Sequence, residues 1–254
     1  MNSERILTDE QVAQFKRDGF LVVRGMYSAD EVANISGWTD EVANYPEVPG
    51  KYMMYFEKSR SDGSRILCRI ENFVPHHKGF AKLITDCRMQ QAVSELFGAE
   101  AVLFKDKINF KLPGGDGFKE HQDVQAGGDE IADLHLTAKV AIAAPNEANG
   151  SLEMIAGMHT QGVLGEMWAP LTDVDTNHAA YQPVHCQPGD AVFFDSYAPH
   201  RSEPNRTDTA RRVLYITYNQ AAQGDSREQY YADKRRNYPP DIERDPGKDY
   251  AFKV

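Results

Sequence analysis

Apolar residues recur with helical spacing near the start of the chain and alternate in short runs from about residue 100 onward. Thr8-Asp9-Glu10-Gln11 has the form of a capping box, followed by Val12 and Phe15 and stopped by Gly19, which predicts a first helix. Phe20-Leu21-Val22-Val23 is a short apolar run of strand type. Ser28-Ala29-Asp30-Glu31 is a second capping box, with Val32 and Ile35 on one face of the helix it opens. A further helix is predicted from about Met89 to Phe97, closed by Gly98. After residue 100, short strands punctuated by Gly, Pro and Asn are predicted at 101–111, 136–144, 151–155, 182–186, 191–194 and 211–218. Strands this short and evenly spaced imply an antiparallel sandwich or jelly roll, with no βαβ alternation. The expected layout is a helical N-terminal part (1–99), a β-rich core (100–220) and a charged, Pro-containing extension (221–254) of irregular or short helical structure, all in one domain. No internal repeat or low-complexity segment interrupts it.

Composition narrows the function classes. The chain has 254 residues, 41% hydrophobic and 26% charged, as in ordinary globular proteins. Its net charge of −10 disfavours nucleic acid as a partner, since phosphate backbones call for a positive footprint. No apolar run approaches the roughly 20 residues of a membrane helix, and MNSERILTDEQ lacks the apolar core of a signal peptide. A cytoplasmic location is therefore expected. Cys68, Cys87 and Cys186 are odd in number, widely spaced and without a CxxC pair, so neither a disulfide framework nor a zinc ribbon is expected. Oligomeric state is not legible.

The candidate chemistry lies in the β-rich part. His121-Gln122-Asp123 follows a glycine-rich turn, Pro113 to Gly117. On an extended chain, residues i and i+2 point the same way about 7 Å apart, so both can reach one metal. His200, after a Pro-ended loop, is a third ligand candidate. Two histidines and one carboxylate hold one face of a non-haem Fe(II) ion and leave the other positions open. A 2-oxoglutarate cosubstrate carries a distal carboxylate that suits an arginine's paired donors. Arg211 and Arg212 open a strand, so they point to opposite faces, and one of them can face a pocket.

At this point the chain resembles the phytanoyl-CoA dioxygenase family of Fe(II)- and 2-oxoglutarate-dependent oxygenases. The resemblance runs through LTDEQVAQFKRDGFLVVRG, NFKLPGGDGFKEHQD, NGSLEMIAGMH and QPGDAVFFDSYAPHRSEPNRTDTARR, in that order. It implies a double-stranded β-helix (jelly roll, cupin-like) core, with His121, Asp123 and His200 as iron ligands. It implies Arg211, eleven residues after the distal histidine, as the 2-oxoglutarate arginine, with Ser202 sharing the same carboxylate and Asn109 contacting the cosubstrate. One departure is Ala156-Gly157-Met158-His159, where members usually carry Pro-Gly-Ser-His. The implied reaction uses Fe(II), 2-oxoglutarate and O2 to hydroxylate a C–H bond of a small molecule.

For the substrate, KDKINFKLPGG and FFDSYAPHRSEPNR look most like bacterial members that hydroxylate aminoalkylphosphonates at the carbon beside phosphorus, a 2-aminoethylphosphonate-type compound being the best fit. Alternation along 105–111 puts Lys105, Lys107, Asn109 and Lys111 on one face and Asp106, Ile108 and Phe110 on the other. If the first face looks into the site, its lysines call for an anion. Gln122, Asp133 and Tyr197 complete the candidate substrate residues, with Asp133, Tyr197 or Trp168 offered to an amine. The Gly- and Asp-rich loop Val124 to Leu134 is the candidate lid, and Glu130 there is a further possible contact. His76, His77, His135, His159, His178 and His185 are expected to be structural or exposed. An acyl-CoA, an ectoine-like solute or an amino acid remain alternatives, as do a cupin-type enzyme independent of 2-oxoglutarate and an inactive binding protein of the same fold.

Overall fold

The computed structural model describes residues 5–85, 88–126, 132–144, 146 and 148–250. Helix α1 (Asp9–Asp18) starts at Thr8, whose hydroxyl accepts from the Gln11 amide while the Gln11 side chain accepts from the Thr8 amide. It stops at Gly19, whose φ of 80° lies in the left-handed region. An added Cβ there would also lie 2.5 Å from Nδ1 of His159, so glycine is required twice over. Strand β1 (Phe20–Val23) follows, and then α2 (Ala29–Ala43), opened by the reciprocal Ser28–Glu31 cap.

The next stretch departs from the expected helical N-terminal part. β2 (Met53–Lys58) and β3 (Arg65–Glu71) form an antiparallel pair, and β3 continues onto the core strand β4 (Ala101–Lys111). Between β3 and β4, the described residues form a short 3-10 turn (Val74–His76) and two α-helices, α3 (Lys78–Thr85) and α4 (Arg88–Phe97). Met-Met-Tyr-Phe is a strand buried on both sides at its start, so it shows no alternation to read. The remaining strands are β5 (Phe118–His121), β6 (His135–Ala141), β7 (Leu152–Met154), β8 (Gln182–Pro183), β9 (Ala191–Asp195), β10 (His200–Ser202) and β11 (Arg211–Gln220). Among its described residues the extension carries one α-helix, α5 (Arg227–Asn237), flanked by 3-10 turns at Ala221–Gln223 and Asp241–Glu243.

The strands make a seven-stranded sheet, β1-β9-β6-β11-β4-β3-β2, and a four-stranded sheet, β5-β10-β7-β8. The outer face of the large sheet (Ile108, Phe110, Leu136, Ala138, Val140, Phe193, Leu214, Ile216) packs on apolar residues of α1 to α4, including Phe15, Ile35, Val42, Phe80 and Val93. Its inner face meets the small sheet through Ala141, Val192 and Phe194 against Leu152, Met154 and Val184. This is the jelly-roll arrangement expected of the sequence. No helix among the described residues is long and apolar enough to cross a membrane.

Candidate active site

The register of the large sheet orders its inner face into rows. Lys111 lies beside Arg211; Asn109 beside Val213 and Ala141; Lys107 beside Tyr215 and Lys139; Lys105 beside Thr217 and Thr137; and His135 beside Asn219. β3 adds Arg69 next to Asn109 and Glu71 next to Lys107. All of these are buried or nearly so. The face is lined by cations, whereas behind it the same strands are apolar apart from Asp106 and Arg212.

The small sheet brings His121 and His200 directly opposite each other on β5 and β10. Asp123 opens the short 3-10 turn after β5. One ligand atom from each of the three lies within 4.8 Å of the others. Nε2 of His121 and of His200 stand 3.7 and 3.8 Å from the same Asp123 oxygen. On the far side of each ring, Nδ1 faces a backbone carbonyl, Lys119 at 2.6 Å and Ala198 at 3.0 Å. Those carbonyls make Nδ1 the protonated nitrogen and turn the Nε2 lone pair inward, as a metal ligand requires. Burial, with His200 beside it, pushes His121 down to about 3, and burial lowers His200 too, so both rings are neutral. Burial alone would raise the Asp123 carboxyl, but Lys107, His200, Lys105 and His121 outweigh it and hold it well below the usual range. A neutral N/N pair with an ionised carboxylate is a donor set suited to Fe(II).

Arg211 is 3% exposed and turns inward, while Arg212 turns outward to Asp40 and the Ser36 hydroxyl on α2. Arg211 donates to the carbonyls of Asn149 (3.0 Å) and Gly150 (2.6 Å), and no carboxylate partners it among the described residues. Gly150 has φ 74°, and an added Cβ would lie 2.0 Å from the Glu203 carbonyl, so the turn that steadies Arg211 needs a glycine. Lys111 Nζ donates to Ser202 Oγ at 2.8 Å and to the Glu203 carbonyl. Oδ1 of Asn109 is enclosed without a donor. Lys139, 1% exposed, has the Cys186 sulfur, at 3.8 Å, as the one hydrogen-bond partner of its ammonium among the described residues. Burial takes Lys139 down to about 8 and, with Arg211 adding to it, Lys111 down to about 7.

The family model described as phytanoyl-CoA dioxygenase (PhyH) matches residues 15–213. The chain belongs to the phytanoyl-CoA dioxygenase family. It is 43% identical to a 2-aminoethylphosphonate dioxygenase of Uncultured bacterium HF130_AEPn_1, over 96% of this chain and 94% of that one. It is 39% identical to a methylphosphonate hydroxylase of Gimesia maris, over 91% and 88%. Among solved structures, EctD from S. alaskensis with 2-oxoglutarate and 5-hydroxyectoine has the same fold, with TM-score 0.73 and 22% identity over 88% of this chain and 79% of that one.

Within this PhyH-family chain, the remaining candidates divide. Lys105 and Lys107 face inward with Asn109 and Lys111, and neither ammonium has a hydrogen-bond acceptor among the described residues. Lys107 lies 5.0 Å from the centre of the Tyr215 ring, and burial takes it down to about 8. Gln122 departs from its expected substrate role. It is 0% exposed, donates to the carbonyls of Gly162 and Tyr197, and accepts from the Leu164 amide, so its amide is used up in tying loops together. Asp133 departs as well. It is exposed, and its carboxylate accepts from Gln223 rather than facing the pocket. The Tyr197 hydroxyl donates to the Asp133 carbonyl, and Trp168 is 39% exposed on a loop. Of the candidate lid, residues 127–131, with Glu130, lie outside the described residues. Val124 and Gln125 are tied down, to the carbonyls of Ser196 and Leu164. Met158 and His159 belong to a short 3-10 turn that packs on the end of α1, since Gly157 donates to the Asp18 carbonyl.

Sequence reasoning missed the residues that α5 and β3 bring in. Lys234 donates to both Glu71 oxygens (2.7 and 2.6 Å), and Arg69 lies 3.2 Å from Glu71. Burial alone would raise Glu71, but Lys234 and Arg69 hold it at about 2. The advance signal was compositional: KRRN and QYY in an extension expected to form irregular or short helical structure.

Proposed function

We propose that the chain is an Fe(II)- and 2-oxoglutarate-dependent hydroxylase of a small phosphonate, with 2-aminoethylphosphonate the best-fitting substrate. The observation that carries this reading is the pair of inward lysines, Lys105 and Lys107, which have no hydrogen-bond acceptor among the described residues and act on Asp123 of the His–Asp–His cluster. A buried ammonium with no partner is costly, and a dianionic head removes that cost. The named activities of the two phosphonate-using relatives point the same way.

His121, Asp123 and His200 would hold the iron, which supplies the site where O2 is activated as 2-oxoglutarate is decarboxylated. Arg211 would receive the distal carboxylate of 2-oxoglutarate, with the Ser202 hydroxyl beside it and Asn109 further along the same face. Lys139 and Lys111 add positive charge at that end, which favours a dicarboxylate. Lys105 and Lys107 would hold the phosphonate, so that the carbon next to phosphorus lies near the open side of the ligand cluster. The carboxylate once assigned to the amine, Asp133, is turned away, so the amine would need another partner. A substrate without an amine, such as methylphosphonate, is therefore the second reading. We also keep the cytoplasmic placement, which the three cysteines suggest; Cys68 and Cys186 are free thiols.

The deciding experiment is succinate release by the Fe(II)-loaded protein, with phosphorus NMR of the product, for 2-aminoethylphosphonate, methylphosphonate and ectoine. Phosphonate-dependent succinate with a 1-hydroxy product is expected. Turnover of ectoine alone, or no 2-oxoglutarate consumption with iron bound, would overturn the reading.

A further inference from the structure

One buried histidine has no place in the arrangement above. His135, at the start of β6, is 3% exposed, and its ring packs on Phe104 with centroids 4.3 Å apart. Its backbone is fixed on both sides by Ser196: the His135 amide donates to Ser196 Oγ, and the His135 carbonyl accepts from the Ser196 amide. The ring is therefore well placed, yet neither ring nitrogen has a hydrogen bond among the described residues, and Nε2 is fully enclosed. The other buried histidines differ. His121 and His200 each face a carbonyl and Asp123, and His77 meets Glu41 and the Phe80 amide. Buried imidazoles are normally hydrogen-bonded; Nε2 is closed to any ligand, so Nδ1, which is not closed off, is the ring nitrogen that can meet one.

The location says which ligand. His135 is in the row next to Lys105, at the end of the inner face away from Arg211. Lys105 and Asp123 both bear on its ring electrostatically; burial and Lys105 push it down to about 4. It is thus neutral at working pH and offers one N–H donor and one acceptor. Lys105, Lys107 and His135 together offer donors from three separate side chains. A phosphonate has three oxygens set tetrahedrally, whereas a carboxylate has two in a plane.

We propose that His135 is a substrate-contacting specificity residue, whose ring N–H donates to the phosphonate oxygen that Lys105 and Lys107 do not take. This rests on the phosphonate reading above. The role is discrimination: a carboxylate of the same length satisfies the lysines and leaves the imidazole as it was. A site built to bond a group rejects an analogue lacking it, because its own polar atom then stays unmet.

The test is calorimetric titration of the anaerobic Fe(II)- and 2-oxoglutarate-loaded protein with 2-aminoethylphosphonate and with its carboxylate counterpart, β-alanine. It compares wild type with His135→Phe and His135→Gln. In wild type the phosphonate is expected to bind the more tightly. His135→Phe should weaken the phosphonate by about 10- to 100-fold and β-alanine by much less. His135→Gln, which keeps a donor, should recover part of the difference. The 2-oxoglutarate affinity should be unchanged in both. Nitrogen NMR of the wild-type histidines, read on the metal-free protein, should show one ring shifting on addition of 2-aminoethylphosphonate and not of β-alanine. Equal phosphonate affinity in wild type and His135→Phe would overturn the role of His135 and leave the phosphonate reading standing. Parallel loss of phosphonate, β-alanine and 2-oxoglutarate would make His135 a packing residue. Failure of wild type to bind any phosphonate would instead overturn the substrate reading, and this inference with it.

Discussion

Strand β4 carries two kinds of buried charge on its two faces, and they are handled in opposite ways. Asp106 points outward and is 0% exposed. It accepts from the amides of Phe73 and Val74 and from the Tyr231 hydroxyl, and it pairs with Arg227 at 2.5 Å. Its neighbours Lys105, buried, and Lys107, half-buried, point inward with no hydrogen-bond acceptor among the described residues. The outward charge is closed off by the protein itself. The inward charges are left open. Burial alone does not mark a functional charge; the lack of a directly hydrogen-bonded counter-group among the described residues does, since Asp123 and Glu71 act on these lysines only at longer range.

Breaking the closed side should have the largest effect. Arg227→Met leaves Asp106 ionised and uncompensated, and it should lower unfolding free energy by about 3–5 kcal/mol in urea denaturation. The double variant with Asp106→Leu should regain much of that. If Arg227→Met unfolds like wild type, the Asp106 cluster is not the brace described here.

Opening the other side further should cost function and not stability. Lys107→Met removes an unpaired ammonium, so unfolding should be unchanged or shifted toward greater stability. Affinity for 2-aminoethylphosphonate should fall by roughly 10- to 100-fold, from loss of one charged hydrogen bond. A stability loss without a binding loss would make Lys107 structural.

The adjacent arginines sharpen the same contrast. Arg211→Ala should abolish measurable 2-oxoglutarate binding, read as loss of the visible charge-transfer band on anaerobic addition to the Fe(II) protein. Arg212→Ala should keep that band and cost less than about 1 kcal/mol, since its partner Asp40 is largely exposed.

The smallest expected effect is on pH. Lys107 and Lys139 titrate near 8, below their unfolded value, because burial disfavours the charge. Both are charged below about 8 and neutral above it, so anion affinity should decline as pH rises from 7 to 9. At pH 8, binding should take up protons, visible as a dependence of calorimetric enthalpy on the buffer. An affinity flat across that range would mean that neither lysine meets an anion.

Much of this was readable in the residues, for local reasons. Capping boxes are four-residue devices, and both appear where Thr8 and Ser28 announce them. The opposed faces of Arg211 and Arg212, and the inward set Lys105, Lys107, Asn109, follow from strand alternation. The proximity of His121, Asp123 and His200 came from spacing together with family likeness. What escaped depends on contacts distant in sequence. Nothing local in RILCRIE says that Glu71 will meet Lys234, more than 160 residues later. Gln122 looked available because it stands between two ligand candidates, yet alternation turns it to the loops at Gly162 and Leu164. Asp133 was chosen for its charge and nearness in sequence, and the chain bends it away to Gln223.

The position of β11 has a consequence for the order of assembly. Among the described strands it comes last along the chain, yet it sits in the middle of the large sheet, between β6 and β4. A chain that has emerged only as far as His200 has β4 and β6 with no partner between them, and slow, non-local pairing must wait for the segment that follows. Arg211 arrives on that same segment. Closure of the sandwich and delivery of the arginine proposed to receive 2-oxoglutarate are therefore one event, so a nascent chain completes its large sheet and that proposed site at the same moment.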